Sequence, residues 1–256
     1  MSLDAEIARR GLDWIVPDWP APPTIGALFT SRNGGFSTGA CRSMNLGQAR
    51  GDDPAHIARN QRLLREVCAV EPVYLSQTHG IGVVAIDDAP QFAEGDAAVA
   101  AKPGRAATVR VADCLPVLFC DRAGTRVAAV HAGWRGLCAG VLETTVAAMG
   151  VPPEQVIAWL GPAIGPSAFE VGDEVRAEFV ARDPGADSAF VPRPERAGKW
   201  LADLYALARM RLRCAGVEEF HGGGFCTLTD ATRFFSYRRD QTTGRMAALI
   251  WMVPPG

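Results

Sequence analysis

His79, Cys114 and His131 are the side chains whose chemistry and placement say most about this chain. They occur in QTHGIGVV, ADCLPVLFCD and VAAVHAGWRG, each punctuated by glycine or proline at the edge of an apolar, strand-like run. Strand ends are where a fold brings distant residues together on a rigid frame. One thiolate and two imidazoles form a good ligand set for Zn²⁺, with a fourth position left for water or substrate. The same atoms can instead form a Cys–His nucleophile pair. Either arrangement makes the chain an enzyme. Each residue also has a plain alternative: a lone histidine in a turn is usually solvated, and a cysteine ahead of an apolar strand is usually a small buried hydrophobe. The second histidine, in a comparable place, is what strengthens the joint reading.

Further polar groups can serve a substrate. Arg32 and Asn33 lie in TSRNGGFSTG, where successive backbone N–H groups can form an anion-binding nest. Arg135 stands where HAGWRG turns into a helix, and a guanidinium at a helix start suits phosphate. A surface ion pair and a helix cap are their structural alternatives. Tyr237, Arg238 and Arg239 precede the last strand, where a hairpin turn at 240–244 accounts for the polarity without any ligand. His56, in a first helical turn, and His221, before HGGGF, are weaker candidates. HGGGF resembles an oxyanion-hole loop, but no GxSxG accompanies it. HExxH and HxE…PCxxC zinc signatures are absent, as are a Walker loop and a dinucleotide GxGxxG. Four histidines in all are too few for a blue-copper site plus a trinuclear cluster.

The elements that must position these groups alternate between strand and helix. GALFTSR predicts a strand followed by a Gly- and Ser-rich loop. DDPAHIARNQRLLREVCAV predicts a helix capped by Asp52 or Asp53, with Pro54 in its first turn. Short strands follow in PVYL, GVVAI, DAAVAA, ATVRVADC, LPVLFCD and RVAAVHAG, then a helix GLCAGVLETTVAAMG ending at Gly150. QVIAWLGPAIG predicts a buried strand; GDEVRAEFVAR and KWLADLYALARMRLRCAG predict helices, the second with Leu201, Leu204, Tyr205, Ala208 and Leu212 on one face. RMAALIWMV is a core strand. Hairpin-like pairs in the middle favour an α+β fold with a mixed sheet over a doubly wound one. No composition break divides the chain, so one domain is expected over residues 25–256, behind a Pro-rich N-terminal extension at 1–24.

A chain of 256 residues can bury a substantial core, and 48% hydrophobic with 21% charged residues is ordinary for a soluble globular protein. A net charge of −2 argues against a protein that coats nucleic acid. No apolar run is long enough for a transmembrane helix, and the N-terminus lacks the apolar core of a signal peptide. Seven cysteines without a CxxC fit a reducing cytoplasm better than a disulfide framework.

Taken in order, SRNGGFSTG, MNLG, QTHG, EGDAAV, VADCLPVLF, VAAVHAGWRG, WLGPAIGPSAFEVGDEV and FFSYRRDQTTGR resemble the YfiH-type proteins, also called polyphenol oxidase or laccase-domain proteins. The resemblance runs from about residue 25 to the C-terminus. It implies a single α+β domain with a zinc site, its ligands falling on His79, Cys114 and His131. It also implies phosphorolysis of adenosine, inosine, guanosine and methylthioadenosine, with deamination of adenosine to inosine. The expected partners are thus purine nucleosides and phosphate, without nucleic acid or membrane, for a monomer or small homo-oligomer. Alternatives attached to the family are copper-dependent laccase chemistry and hydrolysis of an amide in peptidoglycan precursors. The fold's resemblance to deamidating-toxin cysteine hydrolases keeps a Cys114–His131 pair in view. Laccase chemistry ranks last, because one three-ligand site gives no four-electron storage, although copper competes well for nitrogen and sulfur donors. Deamination needs a proton carrier, for which Asp113 is the candidate by adjacency. Phosphorolysis needs phosphate near C1′ and stabilisation of the departing base, with Arg32 and Arg135 as candidates. Asn45, Gln77 and Arg238 join the substrate-binding set by motif position.

Overall fold

Glycines, prolines and capping residues divide the chain into short elements, described here by a computed structural model for residues 2–48 and 51–254. The first half contains α1 (Leu3–Arg9), β1 (Ile25–Phe29), α2 (Pro54–Cys68), β2 (Glu71–Tyr74), β3 (Val83–Ala85), β4 (Ala97–Ala100), β5 (Arg105–Val111), β6 (Leu115–Asp121) and β7 (Val127–Ala132). Then come α3 (Trp134–Ala139), α4 (Val141–Met149), β8 (Val156–Leu160), β9 (Glu170–Gly172), α5 (Asp173–Arg182), β10 (Phe190–Pro192) and β11 (Lys199–Ala202). The chain closes with α6 (Leu204–Cys214), β12 (Glu219–Gly222), α7 (Tyr237–Asp240) and β13 (Met246–Met252).

These strands form two mixed sheets and one small antiparallel one. The four-stranded sheet runs β1-β13-β5-β2, with β2 parallel to β5. The six-stranded sheet runs β12-β8-β6-β7-β4-β3, parallel at its β12–β8 and β3–β4 edges and antiparallel between. β10-β11-β9 form the third. The expected α+β domain with mixed sheets is therefore what the chain forms.

The apolar runs are explained by layering. LPVLFCD is buried at every position because both faces of β6 are covered. Alternate residues point to opposite faces of a strand. Leu118 and Cys120 pack with Val109, Ile250 and Trp159 between the two large sheets. Leu115, Val117 and Phe119 face the helical layer of Leu137, Val146, Phe179 and Leu212. On the far side, Leu28, Leu249 and Trp251 pack under Ile7 of α1 and Leu64 and Val67 of α2. The order is helices, sheet, sheet, helices. The N-terminal stretch expected as an extension takes part in this outer layer through Ile7 and Trp14, and Ile15 forms a bridge with Phe29.

Three local expectations are corrected. The helix expected over 136–150 is two helices, because Gly140 adopts φ +106 and ends α3. KWLA is strand β11, and the helix starts only after Asp203, whose carboxylate accepts from the Ala206 N–H. Leu201 thus lies on a strand rather than on the helix face. Residues 240–244 are no hairpin: α7, capped by Ser236, leads by a loop into β13, which pairs with β1 and β5. Asp53 caps α2 as expected, accepting from the Ala55 N–H, and Gly150 ends α4 at φ +67.

Candidate metal centre and active-site cleft

The chain crosses from the four-stranded to the six-stranded sheet between Val111 and Leu115, and Cys114 sits in that crossing. His131 is on the neighbouring strand β7, paired in register with Pro116. His79 comes from the loop between β2 and β3, at φ +62. The ligand atoms of the three all lie within 4.8 Å of one another. Cys114 Sγ is 3.9 Å from His79 Nε2, and the two imidazole rings meet edge to face with centroids 4.7 Å apart. His131 is buried, Cys114 half-buried and His79 exposed, so the cluster has a dry side and an open side.

Glycine makes this closeness possible. A Cβ on Gly133 would stand 2.9 Å from His79 Cδ2 and 3.3 Å from Cys114 Sγ. One on Gly136 would strike the Gly80 carbonyl at 2.6 Å. The first turn of α3 can therefore lie directly on the QTHG loop.

Electrostatics favour a thiolate. Burial pushes the Cys114 thiol up, but hydrogen bonding and charge from His131 and His79 outweigh it and bring it down to about 6. Burial likewise opposes charge on His131, and the hydrogen bonds to Asp96 and Cys114 raise it nonetheless. The Nδ1 of His131 is 2.8 Å from Oδ1 of Asp96, which leaves Nε2 available to a ligand. A soft thiolate and two imidazoles fit Zn²⁺, whose bonds to sulfur and nitrogen are about 2.0–2.3 Å. No other cluster of three such donors occurs among the described residues.

The cluster opens into a cleft of about 570 Å³ lined also by Gly47, Gln77, Arg110, Val111, Tyr237 and Arg245. No carboxylate is among its lining residues within the described chain. Arg110 and Arg245 are close enough to repel one another, and burial together with that repulsion lowers the Arg110 guanidinium from its ordinary value. Such a site favours an anion.

A family model described as multi-copper polyphenol oxidoreductase laccase matches residues 26–253. The chain belongs to the YfiH-type laccase-domain family. It is 54% identical over 239 residues to a Pseudomonas aeruginosa protein named purine nucleoside phosphorylase, covering 93% of this chain and 98% of that one. It is 51% identical over 242 residues to Escherichia coli purine nucleoside phosphorylase YfiH, with the same coverage. Among solved structures it superposes on a Neisseria meningitidis protein of the DUF152 family with a TM-score of 0.92 at 49% identity, covering 94% of this chain and 100% of that one. The naming of these relatives supports an enzyme.

Not every residue picked from the family's motifs reaches the cleft. Gln77 does. Asn45 is buried and holds the loop beneath it, donating to the Asp52 carboxylate and accepting from the Gly47 and Arg245 N–H groups. Arg32 and Asn33 line a different cleft, and the Arg32 guanidinium donates to the carbonyls of Arg42 and Ala231. Arg135 is exposed and stacks on Trp134, outside the cleft lining. Arg238 donates to the Glu170 carbonyl, although its neighbour Tyr237 lines the cleft. Asp113, at φ +85, accepts from the Thr227 and Ser236 hydroxyls and the Arg238 N–H. These bonds make it a clasp between loops. His56 and His221 lie by Asp52 and Glu219, away from the cluster.

Asp96, Arg110 and Arg245 join the site from outside the residues expected there from the sequence. Two had a visible signal: Arg110 interrupts the apolar run ATVRVADC, and Asp96 stands directly before the strand AAVA. A charge inside such runs must find a partner or a purpose. Arg245 carried no such sign, being one more arginine in a polar loop. No helix among the described residues is long and apolar enough to cross a membrane.

Proposed function

We propose that this chain is a zinc-dependent purine nucleoside phosphorylase acting on adenosine, inosine, guanosine and methylthioadenosine. The observation that carries it is the cleft itself: a His–Cys–His donor set faces two arginines with no carboxylate among the described lining residues. The names of the relatives point the same way. His79, Cys114 and His131 would hold the metal. Bound Zn²⁺ supplies Lewis-acid stabilisation of developing negative charge.

Arg110 and Arg245 take the phosphate in this reading, in place of Arg32 and Arg135. They hold it against C1′ of the ribose, so that a phosphate oxygen attacks as the C1′–N9 bond breaks. The base departs with the bonding pair and takes up a proton, leaving ribose 1-phosphate. Gln77 sits on the cleft wall, and the exposed ring of Tyr237 offers a purine a face on which to stack. Deamination of adenosine is a second activity of the same centre. It is the slower one, because ammonia must receive a proton and the clasped Asp113 is poorly placed to carry it. Copper fits the same donors, but four histidines, with one donor cluster among the described residues, do not build a multicopper oxidase.

A second reading rests on one specific observation. Cys114, His131 and Asp96 stand in the order thiol, imidazole, carboxylate, the arrangement of a cysteine hydrolase. Amide hydrolysis, with cell-wall precursors as substrate, follows from it. Incubating zinc-loaded protein with adenosine, with and without phosphate, separates the readings. Adenine and ribose 1-phosphate only with phosphate are expected, with a smaller yield of inosine in both. No product from protein shown to hold zinc would overturn the phosphorylase reading.

A further inference from the structure

We propose that Asp96 is the positioning residue of the centre, a single carboxylate that sets the geometry of both imidazole ligands at once. The proposal rests on the metal reading of the His79–Cys114–His131 cluster.

Asp96 precedes β4 and is completely buried. A buried charge is tolerated only when paired and hydrogen-bonded. Here five donors converge on its two oxygens. Oδ1 lies 2.8 Å from His131 Nδ1 and accepts the His79 N–H at 2.9 Å. Oδ2 accepts the Thr78 N–H at 3.1 Å, the Thr78 hydroxyl at 3.0 Å and the Gly80 N–H at 2.7 Å. The main chain adds to this, with the His131 N–H donating to the Asp96 carbonyl at 2.7 Å.

Two consequences follow. An ionised carboxylate can only accept, so Nδ1 of His131 carries the proton and Nε2 presents its lone pair to the cluster. Meanwhile the loop bearing His79 belongs to no strand, and His79 adopts a left-handed φ unfavourable to a side-chain-bearing residue. The three consecutive N–H groups anchored on Asp96 hold that turn. One carboxylate thus ties a ligand on a sheet strand to a ligand on a loop.

Asparagine cannot replace it. Its amide has one acceptor oxygen against five donors. With nitrogen toward the loop, three donors meet a donor and the His79 turn loosens. With nitrogen toward His131, the imidazole must accept at Nδ1 and carry its proton on Nε2, where the ligand lone pair is needed.

The test uses the full chain and zinc alone, in competition with a chromophoric chelator. Wild-type protein is expected to bind one zinc, lost in Cys114→Ala; equal binding by the two would overturn the metal reading itself, and this proposal with it. Against that baseline, Asp96→Asn should bind zinc roughly 10–100-fold more weakly, the scale of losses when a ligand's hydrogen-bond partner is removed. A folded Asp96→Asn with wild-type zinc affinity would overturn the proposal while leaving the metal reading intact. Should the variant not fold, nitrogen-detected NMR of histidine-labelled, zinc-loaded wild type decides. A slowly exchanging proton on Nδ1 of His131, with Nε2 shifted by the metal, supports the proposal; Nδ1 bound to metal overturns it.

Discussion

Gln77 and Arg110 are joined like an extra rung of sheet. The Gln77 amide donates to the Arg110 carbonyl at 2.9 Å, and the Arg110 N–H donates to Gln77 Oε1 at 2.8 Å. Gln77 is two residues from His79, and Arg110 lies on β5 with its guanidinium donating to the Leu75 carbonyl. The loop bearing His79 is therefore latched to the strand that carries Arg110. Gln77→Ala removes both bonds and should cost about 1–3 kcal/mol of stability, at roughly 0.5–1.5 kcal/mol per bond. It should also lower kcat/KM for phosphorolysis roughly tenfold or more. Urea melts and initial rates check both; unchanged rates would show that the latch does not position the site.

Gly133 is a clearance residue. Its φ of −63 lets alanine adopt the backbone, so the penalty falls on His79 and Cys114. The added methyl carbon meets His79 Cδ2 at 2.9 Å and Cys114 Sγ at 3.3 Å. Gly133→Ala should weaken zinc binding by roughly tenfold or more, as other displacements of ligand geometry do. The metal-free protein should keep its melting temperature to within a few degrees. Calorimetric titration and thermal melts of both forms measure this, and full zinc affinity would mean that the ligands can part at little cost.

Cys114 should be the reactive thiol of the metal-free protein. With its thiol held down at about 6, the thiolate predominates above that pH. The iodoacetamide rate should rise through pH 6 and level off by neutrality. Cys68 and Cys120, pushed up by burial to about 12, should stay unlabelled in the native state. Zinc should protect Cys114. Mass spectrometry of the labelled peptide decides, and an inflection near 9 would show that the imidazoles exert no hold on the thiol. Rapid labelling of fully zinc-loaded protein would favour the cysteine-hydrolase reading.

Arg245 and Arg32 should respond differently to truncation. Arg245 lines the cleft, so Arg245→Ala should raise the KM for phosphate roughly tenfold, the loss of about 1.4 kcal/mol of binding. Arg32 bridges the carbonyls of Arg42 and Ala231 in another cleft, so Arg32→Ala should lower stability and leave that KM within about twofold. Phosphate saturation curves for the two variants test the assignment; the opposite pattern would return phosphate to the SRNGG loop.

The fold class, most elements and the clustering of His79, Cys114 and His131 were legible in the residues alone. Residue type limits what can bind a soft divalent ion, and the motifs around His79, Cys114 and His131 singled these donors out from four histidines and seven cysteines, although His79 stands in a loop and not at a strand end. Capping chemistry is equally local: Asp53 and Gly150 act where they stand. Motif order also pointed to Gln77, which lines the cleft, whereas Asn45, expected to bind substrate, is buried and accepts from the Arg245 N–H instead. Which charges face the cleft depends on strand pairing, which no local pattern shows. Arg110 and Arg245 are 135 positions apart and meet because β13 pairs with β5, whereas Arg32 lines a different cleft. Asp113 adjoins Cys114 in the chain yet serves loops from residues 227 to 238, while Asp96, 35 positions from His131, bonds its ring. Adjacency along a chain fixes little about side-chain partners, because neighbouring residues point apart and the pairing of strands brings distant ones together.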